Sequence, residues 1–374
     1  MAAVTKSVIP LQQCKVELID LRGCARRSSP RPLKSHDQND ISVTVYHGDM
    51  AAIVGTPSFC LLLSSHEASN NPFFHEACAY RADRDELYMT SSLLKPARTS
   101  DGPIVLISKV KLTRNDTRAI VSVEWQKLRP PQNMPMPAGG AAYHNGVLFC
   151  SQGTLADGTG GLYYMPYGQP PEPVVTNFFG RDFNSPHSVV VARDGSMWFT
   201  DPPQGFERAF RANPVLPCHV YRYVPETGDL RVMADDLGRP HGIALSPDES
   251  TVYVTNTTAV RADGSQDLRL AATTYAFDII KRFGSPFLTN RRIFAFSMTG
   301  VPMGIICDTR GNVYAGCADG VEIFSPGGEI LGVIEVPGGV TSLFFGRSDE
   351  LFLCAEQRLW LVRIGVKDDH DLLS

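Results

Sequence analysis

The sequence predicts an all-β fold, a six-bladed β-propeller with four-stranded blades. Two observations lead there: one hairpin pattern recurs along the chain, and its copies fall at the spacing of propeller blades. The copies are FFHEACAYRADRDELYMTSS (73–92), MPAGGAAYHNGVLFCSQG (136–153), NSPHSVVVARDGSMWFTDPP (184–203), GRPHGIALSPDESTVYVTNT (238–257) and GVPMGIICDTRGNVYAGCADG (300–320), with a weaker sixth in GGVTSLFFGRSDELFLCAEQ (338–357). They lie roughly 40–60 residues apart, the period of a blade.

Each copy reads as two strands and a turn. Val189-Val190-Val191 and Met197-Trp198-Phe199 are apolar runs suited to strands buried on both faces, and Arg193-Asp194-Gly195 between them is a turn in which Gly supplies positive φ. Pro247-Asp248-Glu249, Thr309-Arg310-Gly311-Asn312 and Arg347-Ser348-Asp349 are turns of the same kind. Further strands are expected at 161–166, 219–224, 273–278 and 321–324, which makes about four per unit. A β-sandwich, the structural alternative, leaves six copies of one hairpin unexplained. Residues 1–40 read as an N-terminal lead, partly loop over the polar stretch 26–40, and 41–374 as one propeller domain.

The bulk composition is that of an ordinary globular protein, with 43% hydrophobic and 20% charged residues and a net charge of −4. The charges are mixed and no basic stripe runs through the chain, so nucleic acid is not an expected partner. No run approaches 18 apolar residues, so membrane insertion is not expected either. The nine cysteines form no C-x-x-C pair, and the N-terminus has no apolar core long enough for a signal peptide. A reducing, cytoplasmic setting is the expectation.

Overlaying the copies on their second strands puts Glu76, Ala138, His187, His241, Met303 and Val340 at one equivalent position, the start of each first strand. Four share the frame Pro-x-Gly or Pro-x-Ser: Pro137-Ala138-Gly139, Pro186-His187-Ser188, Pro240-His241-Gly242 and Pro302-Met303-Gly304. In a propeller the innermost strands start around the channel, so these positions form a ring and residues far apart in sequence share one site. A lone histidine at a strand start most often satisfies nearby backbone. Two at equivalent positions facing one channel point to function instead.

The motifs Asn184-Ser185-Pro186, Trp198-Phe199-Thr200-Asp201-Pro202-Pro203, Val220-Tyr221-Arg222, Arg239-Pro240, Gly242-Ile243, Ser246-Pro247-Asp248, Gly311-Asn312-Val313-Tyr314-Ala315-Gly316-Cys317 and Leu359-Trp360 carry a family likeness. The chain resembles the gluconolactonase, regucalcin and luciferin-regenerating-enzyme family of six-bladed propellers, and within it the fungal lactonohydrolase branch, over most of residues 70–365. The resemblance implies a divalent metal, often calcium, held by a Glu, two Asn and an Asp, with the metal polarising a lactone carbonyl and the Asp serving as base. Glu76 keeps the Glu. His187 and His241 stand where the two Asn are expected, and Met303 stands where the Asp is expected. Calcium takes six to eight oxygen ligands, whereas imidazole suits zinc, iron or copper.

The departures leave three readings open. In the first, the protein is a metal-independent biosynthetic enzyme that binds a small lipophilic substrate and no cofactor. Glu76, His187 and His241 are then its acid/base set and Met303, Ala138 and Val340 an apolar wall. This resembles the way fungal pathways redeploy hydrolase folds as cyclases, as in hetero-Diels–Alderases that join an o-quinone methide to a humulene-type sesquiterpene. In the second, Glu76, His187 and His241 hold a divalent metal, zinc or iron by the donor types and zinc or calcium by the family likeness, and the enzyme is a lactone or ester hydrolase. In the third, the propeller binds without turnover.

Around the ring, Asn184 leads into His187 and is expected to orient it. Asp201 follows a strand, where a place at the site competes with a turn role. The long loops 91–103, 201–218 and 258–272 are expected to cover the channel mouth, with Phe206, Arg208 and Phe210 as lid residues over the substrate. His75 is expected to point away from the site, and Trp125 and Trp360 to lie in blade cores.

Overall fold

A computed structural model describes residues 4–8, 10–22, 39–66, 69–95, 102–261, 263–267 and 269–368. Residues 26–38 of the expected N-terminal loop and 96–101 of the first covering loop fall outside the described residues. The expected six-bladed propeller is what forms. Blade 1 runs Glu76–Arg81, Glu86–Thr90, Ile107–Arg114 and Ile120–Leu128 from the axis outward. Blade 2 starts at Pro137–Tyr143, blade 3 at Val189–Val191, blade 4 at Pro240–Leu245, blade 5 at Ile305–Cys307 and blade 6 at Ser342–Phe345, each followed by antiparallel neighbours.

The circle closes with a strand that the repeat pattern does not contain. Blade 6 takes its inner three strands from Ser342–Phe345, Ser348–Ala355 and Arg358–Asp368, and its fourth, Ser58–Ser64, from the start of the chain. Three short N-terminal strands then cover outer edges: Val4–Ser7 on blade 1, Gln12–Gln13 on blade 6, and Lys15–Leu18 beside Ser42–Val45 on blade 5. Covering an outer edge removes an open row of backbone donors and acceptors. Both ends of the chain thus lock the same side of the ring. Trp125 and Trp360 are buried in blade cores, as expected.

What fixes the ring of strand starts is a hydrogen bond at every seam between blades. From blade 1 to blade 2, Thr90 Oγ1 donates to Ala138 O at 3.1 Å. From 2 to 3, Gly139 N donates to His187 O at 2.7 Å. Thr200 Oγ1 donates to His241 O at 2.7 Å, and Thr255 Oγ1 to Met303 O at 2.8 Å. Gly304 N donates to Thr341 O at 2.9 Å, and Thr341 Oγ1 donates to His75 O at 2.6 Å, which returns the circuit to blade 1.

The glycine of the Pro-x-Gly frame follows from this close approach. A Cβ on Gly139 would lie 2.3 Å from His187 O, one on Gly242 2.3 Å from Met303 O, and one on Gly304 2.9 Å from Thr341 O. The ladder also slips at this level, between Glu76 and Ala79, Pro137 and Gly140, and Pro240 and Ile243. Such bulges re-aim the side chain at the strand start. In blade 1 the bulge holds Ala77 at φ 68° and Cys78 at φ 43°, a left-handed backbone that L residues rarely adopt.

The strands enclose a channel of about 860 Å³. Every blade contributes to its wall, through Glu76, Gly139, Ser188, Gly242, Gly304 and Ser342 at one level. It extends from there to Arg81, Asp83 and His144 at the turns of the opposite face.

Gly242→Ala is expected to lower the unfolding free energy by about 1–3 kcal/mol, the usual cost of forcing extra volume into a packed site. Denaturant unfolding measures it, and Gly228→Ala, where a Cβ meets nothing within 4 Å, reports the separate cost of a positive-φ turn.

Candidate functional site

Glu76, His187 and His241 come together as the overlay of repeats requires. One ligand atom from each lies within 4.8 Å of the other two, and the residues are only 5%, 2% and 3% exposed. The two imidazole rings sit 3.9 Å apart, centre to centre, tilted by 41°. His241 Nε2 is 3.6 Å from Glu76 Oε1, too far for a hydrogen bond. Glu76 Oε1, His187 Nδ1 and His241 Nδ1 are all buried without a hydrogen-bond partner. Orphaned buried polar atoms are rare and costly, and one on each of three adjoining residues marks a place where the fold leaves polar capacity unused.

Burial sets the charge state of this group. It pushes the Glu76 carboxyl up to about 7, with Glu356 adding to the rise and His75 and Arg208 opposing it. It pushes His241 down to about 3, helped by the charges of His75, Arg208 and Arg239. His187 is held well below the usual imidazole range by burial, then by His241, Arg208 and His75. Both rings are therefore neutral, each with one nitrogen lone pair. The contact between His241 and Glu76 is accordingly not an ion pair.

A carboxylate and two neutral imidazoles are the donor set of a borderline transition metal such as zinc or iron. The set does not fit calcium, which requires more oxygen than Glu76 alone brings, and the fourth expected position is the thioether of Met303.

The remaining ring positions are apolar. Ala138 is buried, Met303 packs beside Ala259, Ala272 and Val301, and Val340 belongs to a core cluster with Tyr314 and Val336. Asp201 is fully buried and faces the backbone: its Oδ2 accepts from Asn184 N at 2.9 Å and its Oδ1 from Ser185 N at 2.7 Å. Burial pushes its carboxyl up to about 7 against the pull of those two donors and of Arg211. Asp201 thus anchors the loop that delivers His187. Asn184 serves the same loop, its Nδ2 facing the carbonyls of Asp201, Leu216 and Pro217.

The loop 201–218 forms a pinned roof. Arg211 donates to Phe183 O, Asn184 O and Thr154 O, Glu207 pairs with Arg239 at 2.6 Å, and Phe210 is buried against Val105 and Met136. Phe206, by contrast, is 46% exposed. Arg208 is partly buried and close enough to be felt electrostatically by Glu76, His187 and His241.

Sequence reasoning passed over Glu356. His75 turns its Nδ1 to Glu356 Oε1 at 2.9 Å, and this carboxylate outweighs burial to raise the His75 pKa. The available signal was positional: Glu356 directly follows the second strand of the sixth copy, close to where Asp201 ends that of the third.

Replacing Asp201 by Ala strands two buried N–H donors. We expect a loss of about 2–3 kcal/mol in stability and a fall in turnover as His187 shifts. Asp201→Asn, which keeps one acceptor oxygen, should fall between the two, as thermal unfolding and kinetics together would show.

The model of the SMP-30/Gluconolactonase/LRE-like region matches residues 111–356. Among curated relatives, a gluconolactonase of Zymomonas mobilis is 31% identical over 51% of this chain and 53% of its own length. The lactonohydrolase oryL of Aspergillus oryzae is 28% identical over 62% of this chain and 58% of its own. The chain spans a little over half the length of these curated relatives. Among solved structures, XC5397 of Xanthomonas campestris, described as a gluconolactonase, superposes with a TM-score of 0.66 at 25% identity, covering 90% of this chain and 98% of that one. These names agree with the hydrolytic alternative and not with cyclisation. The matched region takes in five of the six ring positions, from Ala138 to Val340, and the chain belongs to the SMP-30/gluconolactonase/LRE-like family.

Proposed function

We propose that the protein is an enzyme that opens a small lipophilic lactone or related ester at the mouth of the propeller channel, with Glu76, His187 and His241 as a metal centre of new composition. The observation that carries this is that buried Glu76, His187 and His241 each bring one ligand atom within 4.8 Å of the other two. The lactonase names of the relatives support this reaction class. A zinc- or iron-like ion held there would supply Lewis-acid polarisation of the substrate carbonyl.

The chain's own residues do the rest. The neutral rings of His187 and His241 present lone pairs in fixed orientation, because seam hydrogen bonds hold the carbonyl of each residue. The pinned roof and the buried ring keep bulk water from the reacting group, which strengthens every electrostatic contact inside. The apolar positions Ala138, Met303 and Val340 favour a substrate with a hydrocarbon portion. A reducing, cytoplasmic setting accords with the free thiols, among them Cys78 and Cys354, whose sulfurs lie 3.3 Å apart. Among the described residues no helix is long and apolar enough to cross a membrane.

A second reading is metal-free acid/base cyclisation or cycloaddition of hetero-Diels–Alder type in the same pocket. The feature that favours it is the raised carboxyl of Glu76 beside two neutral imidazoles, a set able to pass a proton without any ion.

Elemental analysis separates the two. About one equivalent of zinc, iron or manganese per chain is expected, lost together with lactone hydrolysis after treatment with a strong chelator. Less than about a tenth of an equivalent in fully active protein removes the metal reading. His187→Ala and His241→Ala are each expected to leave the folded spectrum unchanged and to reduce turnover by about 10²- to 10⁴-fold; unchanged rates in both would move the chemistry elsewhere in the channel.

A further inference from the structure

The roof over the site carries a cation with nothing to bind. Arg208 follows the short helix Gln204–Glu207, and its backbone N–H donates to Gln204 O at 3.0 Å. Its guanidinium makes no hydrogen bond, ion pair or ring contact with any described residue. Of the three carboxylates whose charge it feels, two are already engaged, and the third, Glu76, forms no ion pair with it. Glu207 is taken by Arg239 at 2.6 Å, and Glu356 by His75 at 2.9 Å. Nor can the arginine simply swing away with its loop, since Arg211 and Phe210 fasten the residues that follow.

A guanidinium cannot shed its proton within the ordinary pH range. Burial lowers its pKa, with the charge of Arg239 adding to this and Glu356, Glu76 and Glu207 opposing. The result is a partly desolvated positive charge with its planar fork of donors unspent, an arrangement that is costly unless an anion completes it. Its charge is felt by Glu76, His187 and His241, so an anion bound to it is near enough to be part of the molecule whose reacting group they meet.

We propose that Arg208 receives an ionised oxygen group of the substrate, so that the enzyme selects small lipophilic molecules bearing a carboxylate or an equally planar oxyanion. Two parallel N–H···O bonds from one fork fit that geometry and reject the neutral ester or amide of the same shape. The inference rests on the channel mouth being the reaction site, but not on the reaction being hydrolysis.

The test is a binding measurement that needs no turnover. Calorimetric titration with hexanoate and with hexanamide, on wild type, Arg208→Ala, Arg208→Lys and the nearly isosteric neutral Arg208→Gln, reads the preference for charge. Wild type is expected to bind hexanoate about 10-fold or more tightly than hexanamide. Arg208→Ala and Arg208→Gln should lose that preference, and Arg208→Lys should keep part of it because the charge survives without the fork. Equal affinity of wild type for acid and amide, no hexanoate binding by folded wild type, or a preference untouched in Arg208→Gln overturns the proposal. A hexanoate preference in a protein that opens no lactone would retain this inference and remove the hydrolase reading instead.

Discussion

The structure depends on one repeated contact: at each seam between blades, a hydroxyl or amide of one blade donates to a backbone carbonyl at the strand start of the next. A propeller has no sheet running around its axis, so such bonds across the seams, with a few more between blades 1 and 6 at Phe74, His75 and Glu356, are what join neighbours at this level. Because the bonded carbonyls belong to Ala138, His187, His241 and Met303, or sit one residue from Val340 and Glu76, the same contacts that close the ring also place the functional side chains. Glycine next to the ring residue follows as a steric consequence at Gly139, Gly242 and Gly304. Stability and site geometry therefore share their determinants.

Desolvation then does the chemical work. Inside this ring the carboxyl of Glu76 rises toward neutrality while the two imidazoles lose their affinity for a proton. Imidazoles at His187 and His241 and a thioether at Met303, beside the single carboxyl of Glu76, make a ring suited to a borderline cation rather than a hard one. The scaffold supplies position; the side chains at the ring supply the donors. Charge that the fold needs for its own purposes is kept separate, as in the pairing of Arg114 with Asp85 and Glu350 where blade 1 meets blade 6.

Much of this is legible in the amino acids because a propeller repeats itself. The alternation of Val189–Val191 with Met197–Asp201 and the turn between them announce a hairpin, and five more copies announce the axis around which Glu76, His187 and His241 meet. What repetition does not encode is harder to read. The strand Ser58–Ser64 completes blade 6 from the far end of the chain and resembles no copy. Asp201 looks, in sequence, equally suited to a site and to a turn; only its two bonds to the backbone of Asn184 and Ser185 show that it holds the loop instead. His75 and Glu356 lie 281 residues apart, and no local pattern reveals that they face each other.

The claim on which the rest stands is that Glu76, His187 and His241 act on one bound molecule as a single unit. A double-mutant cycle on turnover, combining Glu76→Gln with His187→Ala and then with His241→Ala, tests it most directly. Groups that share one site lose little more together than singly, so each double variant should be about as slow as its slower parent. Losses that multiply across the cycle would show that the three side chains serve separate tasks and would contradict the account.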